Sequence, residues 1–173
     1  MVTIAQVESP EQIQQAQELF TEYFAWLKTD VDTDVEDFDD VPSLAGYKEE
    51  IAGLPGKFAP PDGRLLLAQH EGKAAGCVAF YKFNDGVCEV KRMWLRPEFR
   101  GKKIGRLLME TLIEDARKLG YQSMILNTVD ILTAAISLYE SLGFVKTEPY
   151  YAPGELVLDY ELFYKLDLSR KGE

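Results

Sequence analysis

Residues 88–108 read CEVKRMWLRPEFRGKKIGRLL. Val87–Leu95 suits a strand, and Pro97 ends it. A glycine-containing loop follows. It leads into a helix whose Ile104, Leu107, Leu108, Thr111, Leu112, Ala116 and Leu119 share one face until Gly120 stops it. A loop between strand and helix presents backbone N–H groups at the positive end of the helix dipole, where phosphate is favoured. Gly101 and Gly105 permit close backbone approach there. Arg100, Lys102, Lys103 and Arg106 make the loop basic in a chain whose formal net charge is −10. The Gly-Lys-Ser/Thr ending of a P-loop is absent, and so is the GxGxxG dinucleotide fingerprint. Read alone, the loop suits a pyrophosphate seat and a solvated basic helix start equally.

On the N-terminal side, Arg64–His70 and Ala74–Tyr81 read as strands joined by the tight turn Glu71-Gly72-Lys73. Asn84-Asp85-Gly86 signals a hairpin into the next strand. Earlier still, Ser9-Pro10-Glu11-Gln12 marks a helix start. Ser9 is the N-cap, Pro10 the first helical residue, and Gln12 closes a capping box. Ile13, Ala16, Phe20, Tyr23, Phe24 and Leu27 carry that helix at helical spacing. A shorter helix is expected over Ser43–Ala52. Toward the C-terminus come a strand at Met124–Thr128 and a helix at Leu132–Leu142. Two closing strands follow, at Phe144–Thr147 and Glu155–Leu168. This order predicts one α/β domain over residues 1–173, a mixed sheet of six to seven strands with helices packed on both faces.

The chain has 173 residues, 46% hydrophobic and 28% charged, the balance of a globular protein rather than a disordered one. Its acidity speaks against a nucleic-acid partner, which needs a basic surface, and leans toward a cationic ligand. No apolar run approaches the roughly 20 residues of a membrane span. The opening MVTIAQVESPEQ lacks the basic and apolar regions of a secretory leader. Cys77 and Cys88 lie in apolar strands and suggest neither a disulfide framework nor a metal site, so a reducing cytoplasm is expected. The acidic stretch Asp30–Asp40 is superficially similar to a calcium loop, but Val35 and Val41 replace its required Gly and Glu. No metal is expected. His70, the only histidine, ends a strand beside a turn and reads as solvated.

The basic loop resembles the acetyl-CoA loop of the GNAT acyltransferases, Gln/Arg-x-x-Gly-x-Gly/Ala. Arg100-Gly101-Lys102-Lys103-Ile104-Gly105 matches at its first and last positions, with Lys103 where the middle glycine is usual. Gly101 follows a common variant of the motif. Farther on, Ala135-Ile136-Ser137-Leu138-Tyr139-Glu140-Ser141-Leu142-Gly143-Phe144 is similar to the family's A-x-x-L-Y-x-x-x-G-F segment. One helix and one strand separate the two motifs, as in the family, and the resemblance spans roughly Arg64 to Leu168.

The resemblance implies a GNAT fold with acetyl-CoA in a cleft where Val87–Leu95 and Met124–Thr128 splay apart. It implies an N-acetyltransferase acting on an amine of a small molecule or peptide by direct attack. A transferase using another acyl-CoA and a non-catalytic acyl-CoA-binding regulator are the alternatives. A bulge in the first strand would free the backbones of Met93, Trp94 and Leu95 for the pantetheine and the thioester carbonyl. Tyr139 takes the place of the tyrosine that protonates the CoA sulfur, with Ala135 and Leu138 near the cofactor. Glu89, eleven residues ahead of Arg100, stands where some members carry the base, and it reads equally as a salt-bridge partner of Lys91 or Arg92. Leu132 replaces a common cofactor-contacting Asn, which leaves Asn127 or Thr128 to supply that polar contact. Family members often form homodimers. Between the first two helices the family often walls its acceptor site, which makes a cationic amine a natural acceptor beside Asp30–Asp40. Tyr23, Trp26, Phe38, Tyr47 and Phe58 would line that pocket or belong to the core. Tyr150–Gly154 would close over it or form an ordinary turn.

Overall fold

The computed structural model describes residues 1–30, 38–40, 44–151 and 160–169. Its elements run β1 (Val2–Gln6), α1 (Pro10–Asp30), α2 (Tyr47–Ala52), β2 (Arg64–His70), β3 (Lys73–Asn84), β4 (Val87–Leu95), α3 (Ile104–Lys118), β5 (Ser123–Val129), α4 (Thr133–Ser141), β6 (Val145–Thr147) and β7 (Glu161–Asp167). The strands form one sheet in the order β1-β2-β3-β4-β5-β7-β6. Neighbours are antiparallel except β4 and β5. A parallel pair needs a long crossover, which α3 supplies.

Helices cover both faces of the sheet. Along β2, Leu66 and Ala68 join a core with Leu108, Leu112 and Ala116 of α3 and Tyr139 of α4. Leu65 and Leu67 point the other way, into a core with Ala16, Leu19 and Phe20 of α1. Because both faces are buried, this strand reads as the unbroken apolar run LLLA rather than as an alternation.

The expected capping box opens α1. The Gln12 N–H donates to Ser9 Oγ at 3.1 Å, and the Ser9 N–H donates to Gln12 Oε1 at 3.0 Å. The sequence reading missed β1. That strand is short, alternates between half-buried and exposed residues, and is held at the sheet edge by β2 alone. The helix α1 runs three residues past Leu27 to Asp30. Tyr47 opens α2; the expected start at Ser43 lies outside the described residues, as do most of the acidic stretch and residues 155–159 of the expected last strand.

Candidate active site

The register between β3 and β4 pairs Cys77 with Trp94 and Ala79 with Lys91. Two residues, Arg92 and Met93, therefore oppose the single Val78, which is a β-bulge. Arg92 takes a left-handed φ of 61° to make it. The bulge fixes where the backbone points. The Cys77 thiol donates to the Arg92 carbonyl at 3.5 Å on the β3 side. In a trans peptide the N–H points opposite to the carbonyl, so Met93 N–H faces the other edge. A β-carbon on Gly76 would lie 2.6 Å from the Trp94 carbonyl oxygen. That carbonyl also faces β3, and Leu95 N–H faces away from it. By the same alternation the Trp94 N–H turns toward β3, so two of the three expected donors face the open side.

On that open side β5 pairs with β4 only along Val87–Glu89. Beyond Glu89 the strands part, and a cavity of about 520 Å³ fills the gap. Met93, Trp94 and Leu95 wall it from β4, and Asn127 and Thr128 from β5. Arg100, Gly101 and Gly105 close one end, while Ala135, Leu138 and Tyr139 come from α4. The remaining loop residues lie around this wall. Lys102 and Lys103 are exposed, Ile104 at the start of α3 is buried, and Arg106 reaches Ser141 Oγ at 2.5 Å and Glu110 at 3.5 Å. Lys103, at the usual glycine position, is left-handed with φ of 63° and offers α3 no side-chain cap. Arg100 donates through Nε to the Leu95 carbonyl at 3.0 Å and stacks 5.1 Å over the Trp94 ring.

Tyr139 is 6% exposed and packs edge-on against Phe144. Burial pushes its phenol well above the usual range, so the hydroxyl keeps its proton.

A polar chain crosses the splayed strands. Glu89 is buried behind the cavity wall. Its Oε1 accepts from the Tyr81 hydroxyl at 2.5 Å and its Oε2 from the Tyr150 hydroxyl at 2.6 Å, with Lys91 Nζ at 3.3 Å. The expected ion pair with Lys91 is thus present. Lys91 itself lines the cavity and donates to Asn127 Oδ1 at 3.4 Å. Asn127 Nδ2 donates to Glu161 Oε2 at 3.1 Å, which also accepts from the Tyr151 hydroxyl at 3.1 Å. Glu161 lines the cavity too. Burial pulls the Lys91 ammonium down to about 8, with Glu89 opposing the fall.

Arg92 pairs with Glu50 of α2 through Nε at 2.8 Å and a second nitrogen at 3.1 Å. The bulge is thereby locked to the helical face. The sequence reading singled out neither Glu50 nor Glu161. The partners that tie them to the site, Arg92 and Asn127, lie 42 and 34 residues away. Of the five aromatics considered, Tyr23 and Trp26 line the cavity. Phe38 and Phe58 belong to the core, and Tyr47 stacks on Phe24 at 4.6 Å. His70 is half-buried at the end of β2, tilted against Phe99 away from the cavity. The two thiols are buried and unbridged. Among the described residues no cluster suits a metal ion, and no helix is long and apolar enough to cross a membrane.

A sequence model described as the acetyltransferase (GNAT) family matches residues 13–144. The chain is 40% identical to an uncharacterised N-acetyltransferase of Schizosaccharomyces pombe, over 87% of this chain and 86% of that one. It is 31% identical to another from Dictyostelium discoideum, over 84% and 90%. A structure from Salmonella typhimurium with acetyl-CoA as its cofactor superposes with a TM-score of 0.71 at 19% identity, covering 99% and 96% of the two chains.

Proposed function

The chain belongs to the GNAT acetyltransferase family, and from that premise we propose that it moves the acetyl group of acetyl-CoA to an amine bound between β4, β5 and the α1–α2 side. The observation that carries this reading is the bulge at Arg92-Met93 beside strands that part after Glu89. It leaves Met93 and Leu95 N–H groups facing a gap that ends at the start of α3.

The residues present suit acetyl-CoA, which supplies the acetyl group. Gly101, Gly105 and the uncapped first turn of α3 offer N–H groups to a pyrophosphate, with Arg100 beside them. Lys102, Lys103 and Arg106 add positive charge around that turn, while Ile104 anchors it in the core. Ala135, Leu138 and Thr128 flank the pantetheine path. Met93 and Leu95 N–H groups are aimed where the thioester oxygen gains charge. The amine nitrogen bonds the acetyl carbon, the C–S bond breaks, and the amine gives up a proton. Tyr139, held protonated by its burial, delivers a proton to the leaving sulfur. Among the described residues Glu89 meets the cavity wall through Lys91, and we assign it the task of positioning Lys91. The two buried thiols suit a reducing cytoplasm.

The test is thiol release from acetyl-CoA across a panel of amines: amino acids, polyamines, aminoglycosides and short peptides. The reading expects release that depends on one class of amine. Tight acetyl-CoA binding with no release on any amine would overturn it.

A further inference from the structure

The face of the gap turned toward α1 is built of rings. Tyr23, Trp26 and Leu27 lie at helical spacing on α1, and all three line the cavity. The Trp94 ring meets them from β4, its centroid 5.6 Å from that of Trp26 and 6.4 Å from that of Tyr23. Leu44 joins them on the cavity wall. We propose that this wall is the specificity surface for the acceptor, and that it receives an apolar group of ring size carried by the amine. The acceptor class is then a primary amine with an aromatic or bulky hydrocarbon group a few bonds from its nitrogen.

This inference rests on the acetyl-transfer reading and narrows it. Met93 and Leu95 of β4 pack with Ala135 and Leu138 of α4 in the core on the α3 side of the sheet. Trp94, between them in sequence, belongs to the core on the α1 side with Tyr23 and Trp26. With CoA seated against α3 and α4, the amine meets the thioester from the α1 side. Tyr23, Trp26 and Leu44 are only half-buried there. Apolar surface left wet in a concave site gains from an apolar ligand, and aromatic walls add edge-on ring contacts. The indole N–H of Trp94 donates to Glu22 Oε1 at 3.3 Å, so the rest of that ring is carbon surface.

The charged groups on the same cavity have partners within the protein. Glu89 lies 3.3 Å from Lys91, Glu50 binds Arg92, and Glu161 accepts from Asn127 and Tyr151. Their charges are answered inside the protein, whereas the half-buried rings still lack a covering surface. A net charge of −10 suggests a cationic acceptor, yet Glu161 is the one carboxylate among the described residues that line the cavity. A polyamine has no apolar group to cover the rings.

The experiment compares phenethylamine and cyclohexylethylamine with propylamine and diaminopropane. Each is assayed at one pH for acetyl-CoA-dependent thiol release. Each is also titrated against the CoA-loaded protein while tryptophan emission is followed. The chain has 2 tryptophans, Trp26 and Trp94, and both line the cavity, so emission reports on this wall. Both ring-bearing amines should exceed propylamine by about 10- to 100-fold in kcat/KM, the range for burying one apolar group of that size. They should also shift the emission saturably at concentrations where propylamine does not. Trp26→Ala should remove most of this advantage by raising KM, and Trp26→Phe should recover part of it. Should Trp26→Ala fail to fold by thermal melting, the wild-type series decides alone. Ring-bearing amines used no better than propylamine, or diaminopropane used best, would overturn the apolar wall and leave acetyl transfer standing. Release on no amine would overturn the acetyl-transfer reading. The emission titration would then still decide the wall, since binding without preference for the ring contradicts it.

Discussion

Gly76 of β3 lies hard against the backbone of Trp94 in the neighbouring strand β4: a β-carbon there would sit 2.6 Å from the Trp94 carbonyl oxygen and 2.8 Å from Leu95 Cδ1. No real β-carbon tolerates that approach, so the bulged segment can lie where it does only because residue 76 has no side chain. Gly76→Ala should push Trp94 and Leu95 outward and cost about 1–3 kcal/mol, as overpacking does. Acetyl-CoA affinity should fall with it, because Met93 and Leu95 N–H groups move together with the bulge. Thermal melting and calorimetry measure the two effects, and an unchanged affinity would separate the bulge from cofactor binding.

Tyr139→Phe removes one oxygen from a residue that is otherwise packed against Phe144. If the phenol delivers a proton to the leaving sulfur, kcat should drop by about 100-fold, the lower end of general acid contributions. The dissociation constant for acetyl-CoA should change little. Equal losses in both would return Tyr139 to a packing role.

Lys103 occupies a left-handed conformation, φ 63°, that favours glycine. The strain is about 1–2 kcal/mol for an L-residue, and a glycine's extra unfolded freedom takes back about half of the relief. Lys103→Gly should therefore stabilise the fold by about 0.5–1 kcal/mol in urea unfolding. A loss of stability would mean that the lysine makes a compensating contact.

Lys103 also illustrates what the sequence discloses. The loop motif marks this position as one where glycine is usual, and the backbone supplies the reason in its φ. The helix start at Ser9 and Gln12 and the strand Val87–Leu95 were legible from local spacing, and the parting of β4 from β5 was expected only through the resemblance to the family. Edge strand β1 escaped because five alternating residues at a chain start carry little periodic signal. The ion pair of Arg92 with Glu50 and the bridge from Lys91 to Glu161 escaped for another reason. They join residues far apart in the chain, and only the bulge and the sheet order bring them together.

The central claim is direct transfer within the gap between β4 and β5. A single-turnover experiment tests it: protein loaded with acetyl-CoA labelled in the acetyl group is mixed with an amine that supports thiol release, and label and free thiol are followed together. Neither buried thiol is placed to carry the acetyl group, since Cys77 and Cys88 are enclosed and burial pushes both upward, Cys88 to about 12. The account predicts one labelled amide for each thiol released, with no label on the protein at any time. Label that passes through the protein, or thiol release that proceeds without an amine, would contradict it.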